Sequence, residues 1–263
     1  MTILVFGDIV GKVGREALIK ALPSLKAKYA PDLVIANAEN LAHGKGANKS
    51  SIVEMRAAGV DVFTSGNHIF DNKGVFDVWS DPVLKDCLIR PYNYPEGTPG
   101  PGMKSLEVGG KKVLVLNFLC QVFMDREYPS PFEALDEALD QNPGHDVVLV
   151  DLHGEATSER VAFGLYADGR ASAVWGTHTH VPTADGRILR NGTAYLTDVG
   201  MTGARHSVLG VKPEGPISHF VAGAPKRFEM PEEGPADLNA LLVTIGEDGK
   251  AMSIEPIHEI IEI

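Results

Sequence analysis

The sequence predicts an α/β fold in which two mixed sheets are flanked by helices, and three observations point there. Short apolar runs of buried type alternate with stretches of helical spacing, first over residues 2–63 and again over residues 131–175. Two glycine turns, Gly109-Gly110 and Asn191-Gly192, sit between strand-like runs and signal hairpins, so antiparallel pairs accompany the parallel units. The Pro- and Gly-rich stretch over residues 81–110 reads as surface loop and founds no domain of its own. One domain over residues 1–263 is therefore expected.

Each element follows from local pattern. Thr2–Phe6 opens as a strand; Gly14–Leu22, with Leu25 and Tyr29, carries helical spacing, with a break expected at Pro23 and a stop at Pro31. Asp32–Ala36 gives the second strand, residues 39–46 a loop, Lys49–Ala58 a short helix and Val60–Phe63 the third strand. Two β-α-β units in a row imply a largely parallel sheet. Lys104–Val108 and Lys112–Phe118 form the first hairpin, followed by a helix over Pro131–Leu139, a buried strand over Val147–Leu152, a helix over Ser158–Tyr166 and a strand over Ala171–Trp175. Gly186–Arg190 and Thr193–Leu196 flank the Asn-Gly turn. Asn239–Ile245 and Ala251–Ile254 read as a terminal hairpin that Pro256 ends.

Composition narrows the function classes. Hydrophobic residues at 44% and charged residues at 22% are those of an ordinary globular chain with material for a core. A formal net charge of -11 argues against a stable nucleic-acid complex and against an anionic membrane surface, both of which rely on basic patches. An anionic substrate stays compatible if metal ions supply local positive charge. Cys87 and Cys120 form no C-x-x-C pair, so reduced thiols in a cytoplasmic protein are expected. No signal-like N-terminus and no span long enough for a bilayer is seen.

The chemistry-bearing residues fall just past strand ends. Asp8 follows the first strand, Glu39 and Asn40 the second, Asn67 and His68 the third, His153 the strand over 147–152, and His178 and His180 the strand over 171–175. In an open α/β sheet, ligand sites form in the crevice outside these carboxyl ends. Gly176-Thr177-His178-Thr179-His180 is the most specific of the short motifs, because an H-x-H pair at a strand end reaches one site with both rings. With Asp8, Glu39, Asn67 and His153 it makes a ligand set for a shared metal centre, with Glu39 as the natural bridge between two cations. Taken singly, Asp8 also reads as a turn residue or helix cap, Asn67 as a turn amide and His153 as a histidine satisfied by backbone. Imidazole and carboxylate ligands without thiolate fit manganese, iron or zinc better than copper(I), and calcium prefers an all-oxygen cage. Gly7-Asp8-Ile9-Val10-Gly11-Lys12-Val13 is not a phosphate-binding P-loop, since it has three residues between its glycines and Val13 after the lysine.

These motifs, namely Gly7-Asp8-Ile9-Val10-Gly11, Ala38-Glu39-Asn40, Gly66-Asn67-His68, His153 and the H-x-H segment with Gly44-Lys45-Gly46 between, resemble the calcineurin-like metallophosphoesterases, and within them the bacterial YmdB-type branch. Val10 stands where the wider family has a histidine, Glu39 replaces its bridging aspartate, and Ile69 replaces the acidic residue that often follows the histidine. The resemblance implies a four-layer αββα sandwich and two divalent or mixed-valence metal ions. It implies that Asp8, Glu39, Asn40 and His180 hold one ion and that Glu39, Asn67, His153 and His178 hold the other. His68 would stand beside the open face as the catalytic residue, without an obvious partner to orient it. The implied activity is a metal-dependent phosphodiesterase acting on a small phosphoester, a 2′,3′-cyclic nucleotide such as 2′,3′-cyclic AMP. In it, metal-activated hydroxide attacks phosphorus while His68 stabilises the transition state or protonates the leaving sugar oxygen. The alternatives are a broad phosphatase or nuclease on the same centre, or a regulatory sensor of a phosphorylated ligand with little turnover. His43, Lys45 and Asn48 are candidate contacts to phosphate or base, against a plain solvated loop. A homo-oligomer stays open.

Overall fold

A computed structural model describes residues 1–124, 127–223 and 228–263. Strand β1 (Thr2–Asp8), helix α1 (Gly11–Tyr29), β2 (Leu33–Asn37), α2 (Lys49–Ala58), β3 (Val62–Thr64) and α3 (Val75–Ser80) build the first half. The second half runs β4 (Met103–Val108), β5 (Lys111–Leu119), α4 (Pro131–Gln141), β6 (Val147–His153), α5 (Thr157–Tyr166), β7 (Ala173–Thr177), β8 (Arg187–Ile188) and β9 (Ala194–Leu196). Then β10 (Gly203–Ala204), α6 (Glu214–Ala222), β11 (Ala236–Ile245) and β12 (Ala251–Ile261) return the chain to the first sheet.

The first sheet has the order β10-β11-β1-β2-β3, with β12 paired to β11; the second has the order β4-β5-β6-β7-β9-β8. Within them β1, β2 and β3 are mutually parallel, as are β5, β6, β7 and β9, whereas β11, β4 and β8 pair antiparallel with their neighbours. This is the mixed parallel and antiparallel pairing that the hairpin signals required.

The layers follow from which way alternate residues point. In β1, Leu4 and Phe6 pack with Leu18, Leu22 and Leu25 of α1, whereas Ile3 and Val5 pack with Val113, Val147 and Trp175 of the second sheet. In β5, Val113 and Val115 face that same inter-sheet core, while Leu114, Leu116 and Phe118 meet Leu135 of α4 and Phe163 of α5. Each central strand is thus covered on both faces, which is why it reads as a continuous apolar run. The result is four layers, helix, sheet, sheet, helix.

Two interruptions expected at prolines do not occur. Helix α1 passes through Pro23 without a break. Pro23 lies on the exposed side, and the buried stripe of Leu18, Ala21, Leu22 and Leu25 anchors both halves against the sheet. Strand β12 likewise runs past Pro256 to Ile261, pairing Pro256 with Leu241. It is an edge strand, bonded to β11, and at an edge a missing N–H need not remove a ladder bond. Helices α3 and α6 and the two-residue β10 had no sequence signal of their own.

Candidate metal centre

Both sheets end in the same place. Asp8 and His153 are the last residues of β1 and β6, Glu39 and Asn40 come two and three residues after β2 ends, Asn67 follows β3, and His178 and His180 follow β7. The crevice between the two sheets' carboxyl ends therefore receives ligand-type side chains from both.

The distances show a packed cluster. His153 Nε2 lies 2.9 Å from Glu39 Oε1, 3.1 Å from Asn67 Oδ1 and 3.1 Å from His178 Nδ1. Ligand atoms of Glu39, His153 and His178 all fall within 4.8 Å of one another, the spacing of groups that could hold one ion. Beside them, His180 Nε2 stands 4.0 Å from Asp8 Oδ1, and Asp8 Oδ2 accepts from the His178 backbone N–H at 2.9 Å. Asn40 joins this side. Its side-chain amide nitrogen donates to Gly44 O at 2.9 Å and its backbone carbonyl accepts from Gly11 N at 3.0 Å, while its Oδ1 receives no donor.

Whether these residues fit metal ions is tested by what they leave unsatisfied. Among the described residues, four buried side-chain polar atoms lack a hydrogen-bond partner, and the two oxygens among them are Asp8 Oδ1 and Asn40 Oδ1. A buried acceptor without a donor is costly, and a cation is the partner that satisfies such oxygens. Gly66 makes the same point by its size. A Cβ there would stand 2.0 Å from Glu39 Oε2 and 2.3 Å from His153 Nε2, so the absence of a side chain lets the turn close over the cluster.

Supporting groups set the tautomers. His153 Nδ1 lies 2.8 Å from Thr177 Oγ1, and that hydroxyl donates to Asp151 Oδ1 at 2.7 Å. The hydroxyl's proton is thereby used, so Nδ1–H is the donor to Thr177 and Nε2 is the nitrogen turned to the cluster. Likewise His180 Nδ1–H donates to Leu209 O at 2.9 Å, leaving Nε2 towards Asp8. The loop carrying both histidines is anchored from below by the buried Asp198, whose Oδ2 takes Arg160 Nη1 at 2.6 Å and Thr179 Oγ1 at 2.8 Å. His178 and His180 hold φ of 104° and 66°, left-handed values that such anchoring sustains.

Electrostatics in the protein without cations are dominated by one pair. Burial works to raise the Glu39 carboxyl, but His153 beside it and the His68 amide outweigh burial and hold it below the usual carboxylate range. Burial works to lower His153, and Glu39, with Asp8 and Asp151 behind it, outweighs that and raises it to about 9. Burial and the neighbouring His153 push His178 down to about 3, so it is a neutral imidazole with a lone pair to offer. Burial raises Asp8 despite His180 and His153, as expected of an anion waiting for a cation.

Asp151 is the member that sequence reasoning passed over, because it lies inside the apolar run of β6. Fully buried and raised to about 6 by burial, it accepts from Thr64 Oγ1, Asn37 Nδ2 and Thr177 Oγ1. A carboxylate inside a both-faces-buried strand was the available signal. Asp151→Ala should lower stability by about 1–3 kcal/mol for each donor left unpaired and weaken metal affinity on the order of 10- to 100-fold. Denaturant unfolding and metal titration read the two effects. Of the candidate contact loop, Asn48 is used otherwise: its Oδ1 accepts from Ser51 N at 2.9 Å and caps α2. His43 and Lys45 are exposed.

A four-layer α/β sandwich with histidine, carboxylate and carboxamide ligands converging from both sheets defines a metallophosphoesterase fold. The family described as YmdB-like protein matches residues 4–257, and the chain belongs to that family. It is 43% identical over 261 residues, 98% of this chain and 96% of the relative, to the 2′,3′-cyclic-nucleotide 2′-phosphodiesterase of Bacillus subtilis (strain 168). Two solved structures superpose along nearly the whole chain. A hypothetical protein from Thermus thermophilus gives a TM-score of 0.92 at 43% identity, covering 99% of each chain. A novel phosphatase from Mycoplasma pneumoniae gives 0.91 at 37% identity, covering 99% of this chain and 93% of the other. A 5′-nucleotidase precursor from Thermus thermophilus shares the fold alone, with a TM-score of 0.53 at 14% identity over 98% of this chain and 54% of that one.

Proposed function

We propose that this chain is a dimetal-dependent phosphodiesterase that hydrolyses 2′,3′-cyclic nucleotides, working as one domain in the cytoplasm. The observation that carries the reading is the pair of buried oxygens without a hydrogen-bond donor, Asp8 Oδ1 and Asn40 Oδ1, beside the Glu39, His153 and His178 cluster, in a chain 43% identical to a 2′,3′-cyclic-nucleotide 2′-phosphodiesterase. Asp8, Glu39, Asn40 and His180 would hold one ion and Glu39, Asn67, His153 and His178 the other, with iron or manganese ahead of zinc for this donor set. Two such cations supply positive charge against the phosphate oxygens and a nucleophile at neutral pH.

The chain's own residues do the rest. Thr177 and Leu209 fix which nitrogen His153 and His180 offer. Gly66 holds the turn close enough for Asn67 and His68 to share the centre with Glu39, whose Oε2 accepts from the His68 N–H at 3.1 Å. The His68 side chain is 29% exposed at the rim; in this reading it would meet the substrate and hand a proton to the departing sugar oxygen. In a cyclic ester that oxygen stays tethered, so the product is a nucleotide carrying a free 2′- or 3′-phosphate.

Metal uptake should be linked to protons. With His153 raised to about 9 in the metal-free protein, Nε2 carries a proton at pH 7 that a cation must displace. Affinity should therefore rise with pH up to about 9 and level off above it. Addition of manganese to weakly buffered metal-free protein near neutral pH is expected to acidify the solution, and no acidification would show that Nε2 is already bare.

A second reading, a phosphatase, draws on the relative from Mycoplasma pneumoniae described as a novel phosphatase. Rates on matched 2′,3′-cyclic nucleotide, nucleoside monophosphate and RNA separate the readings. Preference for the cyclic ester supports the proposal, and faster turnover of the monoester replaces it with the phosphatase.

A further inference from the structure

Backbone strain in this protein is concentrated in one place. Among the described residues, six that are not glycine hold a left-handed φ: Ala30, His43, Phe123, His178, His180 and Leu209. Ala30 ends α1. The other five stand in loops at the metal centre's end of the sheets. His43 is in the loop after β2, His178 and His180 are in the loop after β7, Leu209 puts its carbonyl on His180 Nδ1, and Phe123 comes four residues after β5 ends at Leu119. A bulky residue keeps such a conformation only where its surroundings enforce it, and conformations of this kind gather at functional sites.

Phe123 is built into that end. Leu119 pairs in register with His153, and the next residue, Cys120, donates its N–H to His153 O at 2.9 Å. Beyond it the Glu159 carboxylate of α5 takes the N–H groups of Gln121 and Val122, each at 2.8 Å, and Gln121 Nε2 donates to Tyr128 O at 2.6 Å. The turn is thus tied down on both sides, yet the side chain it carries, with φ of 62°, is 84% exposed. Three residues of chain span at most about 11 Å, so this ring stands within a nucleotide's length of the strand end that carries His153. The fold gains little from a ring that buries almost none of its surface, and glycine would hold the same φ without the steric cost. A ligand gives the reason for an aromatic side chain here.

We propose that Phe123 is the platform on which the base of the nucleotide stacks, beside the metal centre that takes its phosphate. The proposal rests on the reading of the chain as a 2′,3′-cyclic-nucleotide phosphodiesterase and adds the group that recognises the nucleoside. An aromatic face accepts every base without hydrogen-bond readout and holds a base according to its stacking strength, purines ahead of pyrimidines. It favours nucleotides over phosphoesters that have no base.

The experiment measures kcat and KM of metal-loaded wild type, Phe123→Ala, Phe123→Gly and Phe123→Trp on 2′,3′-cyclic AMP, 2′,3′-cyclic CMP and a methyl riboside 2′,3′-cyclic phosphate, which carries no base. Stacking holds ground state and transition state alike, so its loss is expected to raise KM and leave kcat within about twofold. In Phe123→Ala and Phe123→Gly the KM for cyclic AMP should rise on the order of fivefold to a hundredfold, that for cyclic CMP by less, and that for the base-free ester not at all. Phe123→Trp should keep the wild-type KM. Phe123→Gly should melt no lower than Phe123→Ala, because glycine adopts the φ of this turn freely. An unchanged KM for cyclic AMP in Phe123→Ala, or an equal rise on the base-free ester, would overturn the platform. The first of these, joined to a change of oligomeric state on gel filtration, would make Phe123 a contact between copies of the chain. No turnover of any of the three esters by metal-loaded wild type would overturn the phosphodiesterase reading itself, and the platform with it.

Discussion

Gly66→Ala is expected to empty the metal centre and abolish turnover while leaving most of the fold intact. The position is not one that needs glycine's backbone freedom, as Gly66 is not among the residues with positive φ. What it needs is space: the added methyl carbon would stand 2.0 Å from Glu39 Oε2 and 2.3 Å from His153 Nε2, inside the contact distance of either atom. Relief requires the Asn67-His68 turn to lift away or Glu39 and His153 to part, and each movement breaks the ligand cluster. Overpacking of this kind lowers stability by about 1–3 kcal/mol, so the protein should remain folded when metal content is measured. Metal retention near wild-type level with unimpaired turnover would show that the cluster is not the working site.

His68→Ala should produce the opposite pattern, with metal content kept and kcat lowered on the order of 10²- to 10⁴-fold, the usual contribution of a positioned proton donor. Its backbone N–H, which supports Glu39 Oε2, survives the substitution, while the ring that meets Asp71 is lost. Elemental analysis beside steady-state kinetics reads both quantities. Unchanged kcat would take His68 out of the mechanism.

Much of this architecture was legible because the central strands are covered on both faces. Residues such as Ile3-Leu4-Val5-Phe6 and Val147-Val148-Leu149-Val150 show unbroken apolar runs, and each run stops where a polar ligand begins. The strand-end rule places seven candidate ligands and His68 in one crevice from the sequence alone. The illegible parts have physical causes. Pro23 and Pro256 look like terminators, but a helix held by its buried stripe and an edge strand both tolerate a missing N–H. Helix α6 leaves Phe220 and Val221 exposed, so it lacks the amphipathic spacing by which a surface helix is recognised. The Asp71 and Asp151 carboxylates meet other side chains. Nothing in a sequence states that a carboxylate three residues along a turn folds back onto a ring, or that one within a strand meets a threonine from the next.

The central claim is tested most directly by incubating manganese-loaded protein with 2′,3′-cyclic AMP, beside an aliquot stripped by chelator, and resolving the products by chromatography. The expected result is adenosine monophosphate in the loaded sample and none in the stripped one, with activity restored when manganese is returned. Equal product with and without metal, or intact substrate from protein shown to hold its ions, would contradict the dimetal phosphodiesterase.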